Sequence, residues 1–169
     1  MWELRKILLW MCIGGIFYYA IEGIWRMLTK SIPPHPAIMI VGGLCFVLVG
    51  AINQHPKFYQ ASMASQAVIG AFIVLAVEFI SGCILNLWLG LGIWDYSNLP
   101  FNIMGQVCLF YGILWALLMP LAIWLEDRLN MMKFAWDRYR GNPLMAGEPL
   151  FDYTLLEAYR EFMGIKKTN

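Results

Sequence analysis

The sequence predicts an all-α integral membrane protein: a bundle of four transmembrane helices followed by a C-terminal amphipathic helical tail. Hydrophobic residues make up 60% of the 169-residue chain and charged residues 14%, whereas soluble domains usually have about 45–50% and about 25%. A soluble fold of this size could not bury that much apolar surface. The apolar residues are also gathered into long runs without the period-2 alternation of barrel strands. Helices are therefore expected, because lipid leaves every backbone polar group to be satisfied internally.

Four apolar runs approach the roughly 20 residues that a helix needs to cross a bilayer. They cover about residues 7–28, 36–53, 66–90 and 102–125. The first run follows two basic residues, as in a signal peptide, but it is too long and lacks a small-residue cleavage site, so it predicts an uncleaved span. Most lysines and arginines lie at the two ends of the chain, with Lys57 in the middle loop, whereas the first loop has only Arg26 and Lys30 and the third loop has none. This distribution predicts that both termini are cytoplasmic.

The composition changes after the fourth run, where the charged sequence "EDR" occupies residues 126–128. The change predicts a transmembrane domain at 1–125 and a cytoplasmic amphipathic tail at 126–169. Within the tail, apolar residues recur at helical spacing around Trp136 and again from Phe151 to Met163. The tail is interpreted as a cap along the membrane surface, with a partner-docking segment as the alternative.

A weak internal repeat relates the first and third spans. "YYAIEGI" at 18–24 can be aligned with "VLAVEFI" at 74–80, which matches Glu22 with Glu78. The two spans would have the same orientation in the membrane. The bundle is therefore expected to consist of two parallel helical-hairpin repeats, as in many transporters.

Glu78 lies near the centre of the third run, where a charge costs at least about 2.5–3.5 kcal/mol. We therefore expect Glu78 to face the bundle interior, either protonated or paired with a tyrosine or side-chain amide of the first or fourth span. Small and polar residues follow it at helical spacing as far as Asn86. The stripe has two interpretations, a hydrogen-bonding clamp between helices or a site for a substrate or a proton.

Glu22 and Arg26 are four residues apart near the end of the first span, a spacing that permits an ion pair. One interpretation is a helix-end pair in which Arg26 extends its guanidinium to the membrane interface. The other joins Glu22 to Glu78 as twin carboxylates whose titrations are coupled.

The connector "WDYSNLPFN", residues 94–102, is unusually polar for its position between two apolar runs. Pro100 suits the first turn of the fourth helix, which would place Asn102 and Gln106 on one face of that helix. Asp95 and Tyr96 would lie close by. These side chains are expected to form either a polar vestibule above Glu78 or a hydrogen-bonded turn.

The remaining chemistry of the sequence is sparse. Each of the four cysteines falls in a different apolar run, and none forms C-x-x-C, so neither a disulfide framework, a metal site nor any other cofactor is predicted. The formal net charge of +1 gives no indication of a nucleic-acid partner. The sequence H-E-x-x-H is absent, and the two histidines lie at loops, which weakens the case for an intramembrane enzyme.

"FYYAIEGIWR" at 17–26 and the stretch from Val77 to Leu118 carry a family resemblance. Its elements are E-x-x-x-G at Glu78 and Gly82, W-D-Y-S at 94–97, P-F-N at 100–102 and the glycine at 105. Over about residues 13–125 the chain resembles the type-IV ABC-transporter permease, or CmpB-like, family of small multi-pass bacterial membrane proteins.

The resemblance implies a location in the bacterial cytoplasmic membrane and a role in transport. The chain lacks G-x-x-x-x-G-K-[ST], so a nucleotide-hydrolysing subunit would be a separate protein. We therefore expect a permease-like protein that binds or moves a small solute or lipid, either as a homo-oligomer or with a partner membrane subunit. The alternatives are a membrane scaffold or assembly factor and a lipid-modifying intramembrane enzyme using Glu22, Glu78 or Asp95.

Overall fold

The structure, a computed structural model, describes residues 2–29, 33–55, 58, 61–139 and 154–165, with the backbone alone at 2–3, 53–54 and 133–139. These residues are mostly helical. The first helices are α1 (Trp2–Thr29), α2 (Ala37–Gln54) and α3 (Met63–Gly82), and a π-helical segment (Cys83–Trp88) continues α3. The remaining elements are two strands and two helices: β1 (Asn102–Ile103), β2 (Val107–Cys108), α4 (Leu109–Tyr139) and α5 (Leu155–Phe162).

Three helical stretches in the described part of the chain are long and apolar enough to cross a membrane. They are Leu4–Thr29, Met63–Trp88 and Leu109–Met132. The apolar part of α2, Ala37–Ile52, is shorter. At about 1.5 Å per residue, even the whole of α2, with 18 residues, extends for only about 27 Å, slightly less than the ~30 Å hydrocarbon core of a bilayer. The described residues therefore include three long candidate spans and one shorter apolar helix.

The expected start of the fourth span is wrong. Residues 102–108 form a β-hairpin in which Asn102 pairs with Cys108 and Ile103 with Val107, and α4 begins only at Leu109. Asn102 explains the difference, because its side chain bonds the carbonyl of Leu99 and the amide of Gly105. Gly105 has a φ of +68°, which ends any helical geometry there.

The charged "EDR" sequence does not end α4, which continues to Tyr139. Glu126 and Asp127 are buried, and Asn130 donates from Nδ2 to Glu126 Oε1 at 2.5 Å. The helix therefore continues through these charged residues, because Glu126 and Asp127 are buried against protein and Glu126 has a hydrogen-bond partner on the next turn. The division of the chain at residue 125 falls inside α4 and stays a prediction.

The described residues form two compact units. The first comprises residues 1–48 and 71–115. In it α1 and α2 pack through glycines: a side chain at Gly15 would collide with the backbone of Met39, and one at Gly43 with the backbone of Met11. Small residues at such positions let two helix backbones approach closely.

The second compact unit comprises residues 49–70 and 116–169. In it α5 begins with a capping box formed by Thr154 and Glu157. Glu161 accepts a hydrogen bond from the Met63 amide at 3.1 Å, at the start of α3, where a carboxylate complements the helix dipole. The tail prediction placed a second helix at 151–163; the observed helix covers Leu155–Phe162, and residues 151–153 lie outside the described part.

Candidate functional site

Glu78 lies on α3 inside a candidate membrane span, and only 4% of it is exposed. Trp115 of α4 donates from its indole Nε1 to Glu78 Oε2 at 3.1 Å. The indole also stacks on the ring of Tyr18 from α1, with centroids 5.6 Å apart. Glu78 thus lies in the interior of its compact unit, as expected. Its partner is an indole and not one of the expected tyrosines or amides.

The Glu78 carboxyl is bonded through one of its two oxygens. Among the residues that the structure describes, no hydrogen bond to Oε1 accompanies the one to Oε2. An isolated ionised carboxylate is costly in apolar surroundings. Oε1 is therefore the oxygen of this carboxyl that can still accept a hydrogen bond or carry a proton.

Gln106 occupies the space above Gly82, one helical turn beyond Glu78. A Cβ at Gly82 would lie 2.5 Å from Gln106 Oε1, so the glycine makes room for this amide. Oε1 accepts from Asn86 Nδ2 at 2.8 Å, and Nε2 donates to the Met104 carbonyl at 2.9 Å. The Gln106 carbonyl accepts from the Trp94 indole at 3.0 Å. Gln106 is thus buried, and both ends of its side-chain amide form hydrogen bonds.

Asn86 belongs to the π-helical segment and connects it with the chain that follows. Its Oδ1 accepts from the Ile93 amide at 2.7 Å, and its Nδ2 donates to the Trp94 carbonyl at 3.0 Å as well as to Gln106. π-Helical turns often occur at functional positions. Here the π-helical turn places the side-chain amide of Asn86 against the backbone of Ile93 and Trp94, which lie outside the helices and so lack the backbone hydrogen bonds of a helix.

The polar side chains of the connector bond mostly to its own backbone. Asp95 Oδ1 accepts from the amide and the hydroxyl of Ser97 at 2.8 and 2.5 Å. Asn102 bonds Leu99 and Gly105, and the Tyr96 amide donates to the Gly105 carbonyl at 2.8 Å. These contacts are those of the hydrogen-bonded turn, the second of the two interpretations of this stretch.

Tyr96 turns its ring towards α4, where it stacks on Tyr111 with centroids 4.5 Å apart. Burial raises the pKa of the Tyr96 phenol above its usual range, and the negative charge of Glu78 raises this pKa further. The phenol is consequently neutral over the physiological range and can donate a hydrogen bond.

Arg26 forms the expected ion pair with Glu22 near the end of α1, but its side chain is buried in the protein. It is 7% exposed, and its Nε donates to Glu22 Oε1 at 2.7 Å. Its Nη2 donates to the Ile93 carbonyl at 2.8 Å. The guanidinium is held inside because it ties the end of α1 to the chain beyond the π-helical segment.

The structure joins some of the expected site residues and separates others. Asn86 bonds Gln106 directly, and Ile93 links Asn86 to Arg26 through its amide and carbonyl. Asn102 and Gln106 do not share a helical face, because both precede α4. The sequence-based set also omitted Trp115, although a tryptophan inside an apolar run carries an N–H that needs a partner when buried.

The comparisons with known proteins agree with the membrane fold. A family model described as "Putative ABC-transporter type IV" matches residues 12–138. The chain belongs to this family. Comparisons with curated proteins and with solved structures found no match. In this member of the ABC-transporter type IV family, the match includes Glu78, Trp115, the connector and most of α4.

Proposed function

We propose that the chain is a permease-like membrane component of a transport system that binds or moves a small solute or lipid at a site around Glu78. The buried carboxyl carries the proposal, because Glu78 lies in a candidate span and has Oε1 without a hydrogen bond among the described residues. Ionisable groups inside membrane spans usually mark substrate, ion or proton pathways. The transporter description of the family supports the same role.

A path for a solute requires more protein than this chain. Four helices enclose little space, so the path would be lined together with a second copy or a partner membrane subunit. Any nucleotide-hydrolysing subunit would be a separate protein, since the P-loop sequence is absent. In this arrangement α2 also crosses the membrane, which makes four spans, and the two hairpins are parallel repeats. The chain beyond the span Leu109–Met132 then lies on the cytoplasmic side of a bacterial cytoplasmic membrane.

Native mass spectrometry of the purified protein tests the site. The wild type is expected to retain a small molecule or lipid that Glu78→Gln loses, because glutamine keeps the shape of the side chain but cannot ionise. Ser81→Ala is the matched control, since the Ser81 hydroxyl donates to carbonyls of its own helix, those of Val77 and Glu78. Identical bound species in all three proteins would rule out a role for the Glu78 charge in binding.

A labelling experiment tests the topology. Cysteines introduced at Ser97 and Thr168 are expected to react with an impermeant reagent from opposite sides of a sealed membrane. Reaction of both from the same side would contradict the arrangement of four spans with cytoplasmic termini.

The scaffold alternative rests on a different observation. The connector is closed by bonds from Asp95, Asn102 and Gln106 to its own backbone, and the Glu78–Trp115 bond could serve only to hold α3 against α4. A pair of substitutions at Glu78, described in the Discussion, distinguishes this clamp from a transport site. Nothing in the described geometry favours the enzyme alternative.

A further inference from the structure

The hairpin before α4 exposes three large apolar side chains: Phe101 just before β1, Ile103 within β1 and Met104 after it. These three residues are called the apolar tip here. These side chains are 79%, 58% and 62% exposed. Polar side chains of the same connector, such as Asn102, bond to the loop backbone. The connector thus presents large apolar groups outwards, although loops in contact with water usually expose their polar groups.

The backbone conformation at two of these positions is unfavourable for large side chains. Phe101 and Met104 have φ values of 54° and 52°, in the left-handed region that bulky residues rarely adopt. Glycine or asparagine would adopt this conformation with less strain. Here the turn instead holds two large apolar side chains in strained conformations, with most of their surface uncovered.

The exposed surface of the tip continues that of a candidate membrane span. The amide of Leu109, the first residue of α4, donates to the Phe101 carbonyl at 3.3 Å. On α4 itself Leu109, Phe110 and Ile113 are exposed large apolar residues within the span Leu109–Met132. These side chains face lipid if the span crosses the membrane, so the tip lies directly beside a lipid-covered surface.

On its other side the connector follows the end of the preceding candidate span. Trp88 is the last residue of the candidate span Met63–Trp88 and is 80% exposed. Tryptophan is enriched where a helix leaves the hydrocarbon core for the headgroup region. The connector therefore leaves one span and enters the next at the depth of the membrane interface, where apolar side chains can reach acyl chains.

We propose that the apolar tip inserts into the boundary between headgroups and acyl chains, anchoring the connector to the lipid surface. The lipid covers the exposed apolar surface of the tip and fixes the depth of the hydrogen-bonded turn behind it. This anchoring requires only that the helices span a membrane, and it does not depend on transport through Glu78.

Site-specific photo-crosslinking tests the anchor in lipid nanodiscs of phosphatidylcholine and phosphatidylglycerol. p-Benzoyl-phenylalanine replaces Phe101 in one variant and Met104 in another. Phe110, exposed within the span, is the positive control, and Asn98, an exposed polar residue of the same connector, is the negative control. Irradiation is expected to shift the mass of the two tip variants and of the Phe110 variant by one lipid molecule, while the Asn98 variant stays unmodified.

Absence of lipid adducts at both tip positions, with adducts present at Phe110, would overturn the proposal. Repeating the irradiation in whole membranes adds a second criterion. If the tip variants crosslink there to another polypeptide and not to lipid, the tip is a protein-docking surface and the lipid anchor is wrong. Because the two positions are labelled in separate proteins, a folding defect in one variant leaves the other as a complete test.

Discussion

The indole of Trp115 connects three helices of one compact unit through two contacts. Its Nε1 donates to Glu78 on α3 at 3.1 Å, and its ring stacks on Tyr18 of α1. Trp115 itself lies on α4. The indole therefore supplies both a hydrogen bond for a buried carboxyl and an aromatic surface between helices.

Trp115→Phe removes the hydrogen bond while keeping an aromatic ring for Tyr18. The buried carboxyl loses its donor, so the free energy of unfolding is expected to fall by about 1–3 kcal/mol. Denaturant-induced unfolding in detergent micelles measures the change. Trp88→Phe is the control: because Trp88 is exposed, its substitution should stay within about 0.5 kcal/mol. Equal effects of the two substitutions would show that the bond contributes nothing to stability.

Two substitutions of Glu78 separate a clamp from a transport site. If Glu78 is a clamp, Glu78→Gln keeps folding and function, since the amide oxygen can still accept from Trp115, whereas Glu78→Ala lowers stability by roughly 1–3 kcal/mol. If Glu78 carries a proton or a cation, the glutamine variant folds normally but loses function. Unfolding measurements combined with ligand retention distinguish the two cases. A glutamine variant as unstable as the alanine variant would contradict both.

Arg26→Met tests the link from α1 to the chain beyond the π-helical segment. The substitution removes the bonds to Glu22 and to the Ile93 carbonyl, and hydrogen bonds of charged groups contribute about 1.5–3 kcal/mol. Hydrogen exchange should accelerate at residues 91–97. Arg5→Met changes an exposed arginine and should leave exchange in this segment unchanged. Unaltered exchange in the Arg26 variant would mean that other contacts alone hold the connector.

Gly82→Ala tests the close approach of Gln106 to α3. The added methyl group would lie 2.5 Å from Gln106 Oε1, so the amide must move away from Asn86, at a cost of about 1–3 kcal/mol. Gly23→Ala is the matched control, because its methyl group would meet only the Pro34 ring, at 3.7 Å. This variant should be neutral or stabilised by roughly 0.5–1 kcal/mol. Thermal unfolding measures the stability of both variants. A Gly82→Ala variant more stable than the Gly23→Ala variant would contradict the packing described.

Tyr96→Phe tests the effect of the raised phenol pKa at alkaline pH. In the unfolded chain a tyrosine ionises near pH 10, whereas burial, and then the charge of Glu78, raise this pKa in the folded protein. Below about pH 10 the phenol is protonated in both states. As the pH rises further the unfolded state loses the proton first, so the wild type loses stability that the phenylalanine variant retains. The free energies of unfolding of the wild type and the Tyr96→Phe variant, measured at a series of alkaline pH values, should diverge as the pH rises. A constant difference between the two proteins would refute the raised pKa of Tyr96.

Hydropathy and charge were sufficient to predict the membrane class, the approximate helices and the interior position of Glu78. These features follow from transfer free energies, which depend on residue type and position along the chain. The hairpin at 102–108 could not be predicted in this way, because it depends on Asn102 bonding backbone groups and on a left-handed conformation at Met104. Helical spacing contains no information about such side-chain–backbone bonds.

The partner of Glu78 was missed for another reason. Trp115 lies 37 positions further along the chain, and which side chain of α4 meets α3 depends on the rotation and depth of packed helices. A small difference in either the rotation or the depth of α4 would bring a different side chain to Glu78. The burial of Arg26 was missed likewise, because its acceptor is the backbone carbonyl of Ile93, a group that any residue type supplies.

The glycine contacts between α1 and α2 have a consequence for biosynthesis. Because Gly15 and Gly43 each face the backbone of the opposite helix, these two helices can reach their final packing without any later part of the chain. We therefore expect the first 54 residues to enter the membrane as a helical hairpin while translation continues. Later helices would then assemble against a surface that already exists, and a bulky residue at either glycine would impair insertion before any transport site had formed.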